Sequence, residues 1–259
     1  MQRLGLLAAA VLGALAFAGA AFAAGSAGTA VGVDPAASDV AASGTRTLVV
    51  GADVAMGDRI VTGPSGQVQL IFNDDTHLVV GPSSALVIES YLMRGDKSVS
   101  KFAVDALGGT YRFITGKSDH SVYTINTPTG TIGVRGTAFD WTTAPASAAG
   151  KGAGFLPGTT VALFRGAVIL CTLDQKSCTV LDRKCDAGWI EPAEATRFGP
   201  FDAVDRGLRA KFRYIQSQKP LMQPFWVDES RLCFVDHSGT PGGLSTPQVN
   251  DAPPPKRLR

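Results

Sequence analysis

The sequence predicts an all-β protein, a two-sheet sandwich or jelly roll, with a β-solenoid as the alternative and one helix near the C-terminus. Three observations predict it. Short β-branched and aromatic runs recur from Thr47 onward, turn residues bound each of them, and helical periodicity is confined to one segment. The runs are Thr47–Val50, Arg59–Thr62, Gln67–Phe72, His77–Val80, Ala85–Tyr91, Val99–Val104, Gly109–Thr115, Ser121–Thr127, Thr131–Val134 and Thr137–Thr142. Between them lie Gly63-Pro64-Ser65-Gly66, Asn73-Asp74-Asp75, Gly81-Pro82-Ser83-Ser84, Gly95-Asp96, Gly108-Gly109 and Thr127-Pro128-Thr129-Gly130. Even spacing of short strands fits a sandwich or a solenoid, whereas alternating β and α units would need helices between them.

Two other segments read as non-globular. Residues 24–45 are small and polar and are expected to be a flexible linker. The tail from Ser238 to Arg259 holds five of the fifteen prolines and is expected to be disordered. Pro145 to Pro157 reads as an exposed loop, after which strands resume at Thr160 and run to Ile190. The helix opens at Pro200-Phe201-Asp202, with Asp202 as N-cap, and closes at Lys219-Pro220. Phe201, Val204, Leu208, Phe212 and Ile215 give it one apolar stripe to pack on the sheet. The expected organisation is therefore a β domain over 46–195 and a C-terminal extension over 196–237.

The N-terminus reads as an address. Arg3 precedes an uncharged run from Leu4 to Ala23 that ends Ala21-Phe22-Ala23, the order of a secretory signal peptide over residues 1–23. An uncleaved anchor is the rival, since the run approaches the roughly 20 residues a membrane span needs. Cleavage leaves no later apolar stretch of that length, so stable membrane insertion is not expected and the location is periplasmic or secreted.

Charge and cysteine content narrow the classes. The 259 residues carry 24 Lys plus Arg against 22 Asp plus Glu, too even a balance for a protein that binds nucleic acid by neutralising phosphates. Cys171, Cys178, Cys185 and Cys233 are an even number that suits an oxidising compartment, and allow three pairings. A turn centred on Asp174-Gln175 sets Cys171 opposite Cys178 at about 4.5–5.5 Å between Cα atoms, within disulfide reach. Cys185 with Cys233 follows, and would staple the C-terminal segment to the sheet. No histidine accompanies these cysteines, so no metal site is expected. No cofactor motif is present either: Gly130, Gly133 and Gly136 lead into a strand, not into the helix a nucleotide fingerprint requires.

Three blocks of the β body form one pattern. One block is Gly57-Asp58-Arg59-Ile60-Val61-Thr62-Gly63 followed by Gly66 through Ser84, including Asp74, Thr76, Gly81 and Pro82. A second runs from Gly108-Gly109-Thr110-Tyr111-Arg112-Phe113 to Thr127-Pro128 and Arg135-Gly136-Thr137-Ala138-Phe139. A third is Thr160–Val168 with Asp186-Ala187-Gly188-Trp189. Together these blocks resemble the FecR domain, over about residues 47–191. One departure is Asp75, where the family's turn has Gly, a position that favours positive φ. Members of the family typically sit in the periplasm behind a transmembrane helix and an anti-sigma segment. Here a signal peptide stands in their place, so the resemblance implies an interaction module whose partner is another envelope protein, and not the sigma-regulating role.

Two further readings compete. A glycan- or peptidoglycan-binding sandwich would use Trp141, Trp189 or Trp226 as stacking platforms. A hydrolase would use Asp74 and Asp75 with His77, or Glu191 and Glu194 beside Trp189. Turn chemistry explains the aspartates without catalysis, and the period of a strand gives His77 no reason to face them. Arg135-Gly136-Thr137 is expected to be a structural corner.

Overall fold

A computed structural model describes residues 25–95, 98–119, 121–144, 158–201, 212, 218 and 221–233, of which 231 and 232 are described by backbone alone. The expected signal peptide, the loop between Pro145 and Pro157, most of the expected helix and the C-terminal tail lie outside the described residues.

The chain is all-β. Fifteen strands form one hydrogen-bonded sheet: β1 (Ser26–Asp34), β2 (Ala37–Ala41), β3 (Gly44–Leu48), β4 (Asp53–Ala55), β5 (Arg59–Thr62), β6 (Gln67–Phe72), β7 (His77–Val80), β8 (Ala85–Met93), β9 (Val99–Ile114), β10 (Tyr123–Thr127), β11 (Gly130–Thr143), β12 (Thr159–Thr172), β13 (Cys178–Leu181), β14 (Asp186–Ile190) and β15 (Ala195–Pro200). The main path runs β15-β14-β12-β11-β10-β9-β7-β6-β1-β4, with the other strands branching from it. Only β9 and β10 pair in parallel among the described ladders, so stacked solenoid coils are not the architecture.

Two pairs of expected strands merge into long bent ones. The Gly108-Gly109 and Arg135-Gly136 breaks lie inside β9 and β11. Gly109 has φ +121° and Gly136 has φ +64°, and the β11–β12 register shifts between Arg135 and Ala138. These are bends and bulges, which turn a strand without ending it. The first half of β9 pairs with β8 and β10, the second half with β7 and β11. Phe102 and Phe113, on one strand, have ring centroids 5.7 Å apart. A straight strand would separate them by roughly 36 Å. The two layers of the expected sandwich are therefore one sheet folded over a shared aromatic core of Phe72, Phe102, Phe113, Tyr123, Phe139 and Trp141.

The expected linker over 24–45 is a correction. Residues 26–48 form β1, β2 and β3, with β1 inserted between β4 and β6. Ala27 and Ala30 are buried and Val31 packs on the opposite face. Small side chains carry little hydrophobic contrast, so the alternation that marks a strand is muted there. The ladder supplies what the composition does not, and the sheet spans 26–200 where 46–195 was expected.

The outward face of the central strands is covered by the C-terminal segment. Ile114, Ala138, Ala162, Phe164 and Ala187 meet Phe201, Phe212, Val227 and Cys233, while Val79 meets Leu221 and Phe225. A 3-10 turn (Gln223–Phe225) and a single helical turn, α1 (Asp228–Leu232), shape this strap. Of the expected helix, the described Phe212 and Gln218 carry no regular element.

At the centre of the covered face, Arg112 and Asp140 oppose one another across β9 and β11. Arg112 Nε donates to Asp140 Oδ1 at 2.7 Å and Nη2 to Oδ2 at 3.0 Å, with both side chains fully buried. Nη1 donates to Gln218 Oε1 at 2.9 Å and to the Phe225 carbonyl at 3.1 Å, so the strap takes up both of its hydrogens. The guanidinium also lies 5.5 Å from the Phe164 ring centroid. Burial pushes the Asp140 carboxyl upward, and the bidentate guanidinium opposes that shift.

Cys171 pairs with Cys178 across the β12–β13 ladder, and Cys185 with Cys233 ties α1 to the sheet. The sequence separations are 7 and 48. On the chain-entropy account the longer loop contributes about 4 kcal/mol and the shorter about 2. Replacing Cys185 and Cys233 by Ser should therefore lower the thermal midpoint more than replacing Cys171 and Cys178, as scanning calorimetry would record. An unchanged midpoint on replacing Cys185 and Cys233 would show that this staple contributes nothing to the folded state.

Candidate functional site

The residues that carry the sequence resemblance are engaged inside the scaffold. Asp74 is almost fully buried. Its Oδ2 accepts from Tyr123 Oη at 2.7 Å, Ser118 Oγ at 2.9 Å and Thr76 Oγ1 at 3.0 Å, and its Oδ1 from the Thr76 amide at 3.2 Å. Tyr91 Oη lies 3.4 Å from Oδ1 and itself accepts from the Asp74 amide. Burial pushes the Tyr123 hydroxyl up to about 12 and the Tyr91 hydroxyl upward as well, so both remain donors. A carboxylate ringed by hydroxyls ties the β6–β7 turn to β8, β10 and the segment after β9.

The possible hydrolase trio diverges. Asp75 has φ 62°, the conformation for which glycine is the easier residue, and its carboxylate pairs with Lys117 on the surface. His77 points to the outer face, where its ring meets Phe225 edge-on at 5.1 Å. Burial holds its imidazole below the usual histidine value. Asp74 faces inward, so the three side chains address different surroundings.

The other motif positions serve turns. Gly57 has φ +92°, and Asp58 Oδ2 accepts from the Ala55 amide at 2.8 Å. Thr62 Oγ1 donates to the Gly81 carbonyl at 2.6 Å and accepts from the Ser84 amide at 2.9 Å, while the Gly63 carbonyl accepts from the Ser83 amide. That pair of bonds clamps the turn containing Pro82 against the end of β5. Thr127 Oγ1 accepts from the Gly130 amide at 3.1 Å, which closes the hairpin over Pro128. The Thr137 carbonyl accepts from the Thr115 amide at 2.9 Å, and the Thr137 amide donates to Thr115 Oγ1 at 2.7 Å. Arg135 is exposed and makes no ion pair among the described residues.

The three tryptophans separate. Trp141 is fully buried and stacks on Tyr111 at 4.7 Å, so it is core and offers no platform to a ligand. Trp226 is 40% exposed, and its indole N–H donates to the Leu221 carbonyl at 2.8 Å, which fixes the strap's own turn. Trp189 is half-buried on β14 and lines a small cleft of about 160 Å³ with Glu191, Glu194, Thr196 and Phe198. The Glu191 amide donates to the Glu194 carbonyl at 2.8 Å, a tight turn that brings both glutamates into the lining. Phe198 falls where the β14–β15 register shifts, and that bulge brings its ring within 5.6 Å of Trp189 at 62°. The sequence offered Trp189 and the two glutamates as neighbours. It gave no signal for Phe198, because a bulge is set by the pairing and not by local composition.

A wider depression of about 390 Å³ is lined in part by Arg46, Asp53 and Asp58. Its lining cation is already engaged: Arg46 pairs with buried Asp39 at 2.7 Å and donates to the Asp53 carbonyl at 2.5 Å. Burial raises the Asp39 carboxyl, Arg46 counters that shift, and the nearby Asp58 adds to it. No group of His, Cys, Asp and Glu among the described residues has the arrangement of a metal centre.

The fold and its turns define an all-β module whose recognisable pattern specifies its own scaffold. Residues 58–168 match the family described as FecR protein. Two crystal structures of a candidate anti-sigma factor from Parabacteroides distasonis ATCC 8503, at 1.65 and 2.50 Å, are similar at 12% identity and a TM-score of 0.42, over 55% of this chain and 59% of that one. A structure described as a cell surface anchoring domain is similar at 30% identity and a TM-score of 0.22, over 23% of this chain and 80% of its own. No functional reading rests on scores that low. A comparison with curated proteins finds no match.

Replacing Asp74 by Asn should cost about 2 kcal/mol and Tyr123 by Phe about 1 kcal/mol in urea unfolding, since an amide cannot accept at both positions. An unchanged midpoint for the Asn variant would remove Asp74 from the scaffold.

Proposed function

We propose that this chain is an exported FecR-type module that binds another protein of the cell envelope, in signal sensing or signal relay, and catalyses nothing. The observation that carries the reading is the FecR match over 58–168, in a chain whose matched polar residues are spent on turns and on a buried hydroxyl cluster. Two disulfides support an oxidising compartment, the periplasm or the exterior. Among the described residues no helix is long and apolar enough to cross a membrane.

The glycan reading has lost Trp141 to the core and retains the cleft beside Trp189 and the part-exposed Trp226. A crosslinked pull-down of the tagged full chain from its native envelope, followed by titration of the purified partner, tests the choice. The expected result is one envelope protein in near-stoichiometric yield that binds again when purified. Recovery of glycan fragments alone, or of nothing above a denatured bait, contradicts the proposal.

A further inference from the structure

We infer that the cleft between Trp189 and Phe198 is a cation site that receives an arginine or lysine side chain of the protein partner. The inference rests on the interaction-module reading and names the chemistry of one contact within it. Two aromatic rings at 62° form a corner, and the face of an indole attracts a cation through its quadrupole. Phe198 is 42% exposed, so the corner is open.

Charge then selects the occupant. Glu191 and Glu194 are exposed and form no ion pair among the described residues. The cation nearest in sequence, Arg197, pairs with Asp182 and Asp186. A cleft with two uncompensated carboxylates beside an aromatic corner complements a positive group better than a neutral one. Its size agrees: ligand pockets for drug-sized molecules run to about 300–1,000 Å³, whereas about 160 Å³ suits a single head group. A sugar ring would stack on Trp189 and donate hydroxyls to the glutamates, but its own oxygens also need donors, for which the lining offers the Thr196 hydroxyl. The Trp189 indole nitrogen cannot serve as one, because it is buried where a Cβ on Gly158 would lie 2.1 Å away.

The test follows the indole N–H resonance of Trp189, assigned with Trp189→Phe, in the full disulfide-bonded chain. Argininamide is the cationic probe, citrullinamide its neutral isostere and N,N′-diacetylchitobiose the glycan probe. Argininamide should shift the resonance saturably at about millimolar concentration and the isostere should not. The double variant Glu191→Gln, Glu194→Gln keeps the shape and should weaken the response about fivefold or more, as should added salt. An equal response to citrullinamide, an unaltered response in the double variant, or a response to chitobiose alone overturns the inference. The same double variant used as bait separates the two claims. Undiminished partner recovery with no argininamide response sinks the cleft and leaves the module standing, whereas no partner for either bait sinks the module itself.

Discussion

The Arg112–Asp140 pair is the interaction on which the architecture turns. Two opposite charges, fully buried between β9 and β11, would be costly there if the guanidinium kept an unmatched donor. The strap supplies the missing acceptors through Gln218 and the Phe225 carbonyl. Gln218 is held in turn, since its Oε1 accepts from the Val227 amide at 2.5 Å and its Nε2 donates to the Val227 carbonyl at 3.3 Å. The strap is thereby fixed in register on the sheet, a role for which a buried polar contact suits better than apolar packing alone. The pair and the strap require one another.

That requirement bears on function. In a folded sheet both faces need cover, and here the inner face closes on itself while Phe201, Phe212, Leu221, Phe225, Val227 and Cys233 cover the outer face of the central strands. A partner therefore has little to gain on that face. Among the described residues the sheet's far end stays open, where the β14–β15 turn carries two glutamates and an aromatic corner. The Asp74 cluster belongs to the same logic: its buried hydroxyls lock the β6–β7 turn, and a group so enclosed serves geometry and not chemistry.

Much of this was legible in the sequence, and the reasons for the rest are physical. Strands such as Gln67–Phe72 and His77–Val80 were bounded correctly because Gly-Pro and Asp-Asp turns bracket them. The Cys171–Cys178 opposition followed from hairpin register alone. Gly109 and Gly136 misled, because a glycine that ends a strand and a glycine that bends one look alike until the neighbouring strands are placed. Residues 26–48 misled because alanine and glycine strands lack contrast. Arg112 and Asp140 were invisible as a pair: they lie 28 positions apart, and only the ladder sets them opposite. Of the cleft, Trp189 with Glu191 and Glu194 could be read and Phe198 could not.

Native-state hydrogen exchange would test the central claim most directly. If the buried pair binds strap and sheet into one cooperative unit, the Val227 amide should exchange with the same opening free energy and the same denaturant dependence as the amides of β9 and β11. Exchange of Val227 through a local opening, orders of magnitude faster and independent of denaturant while those strands stay protected, would contradict it.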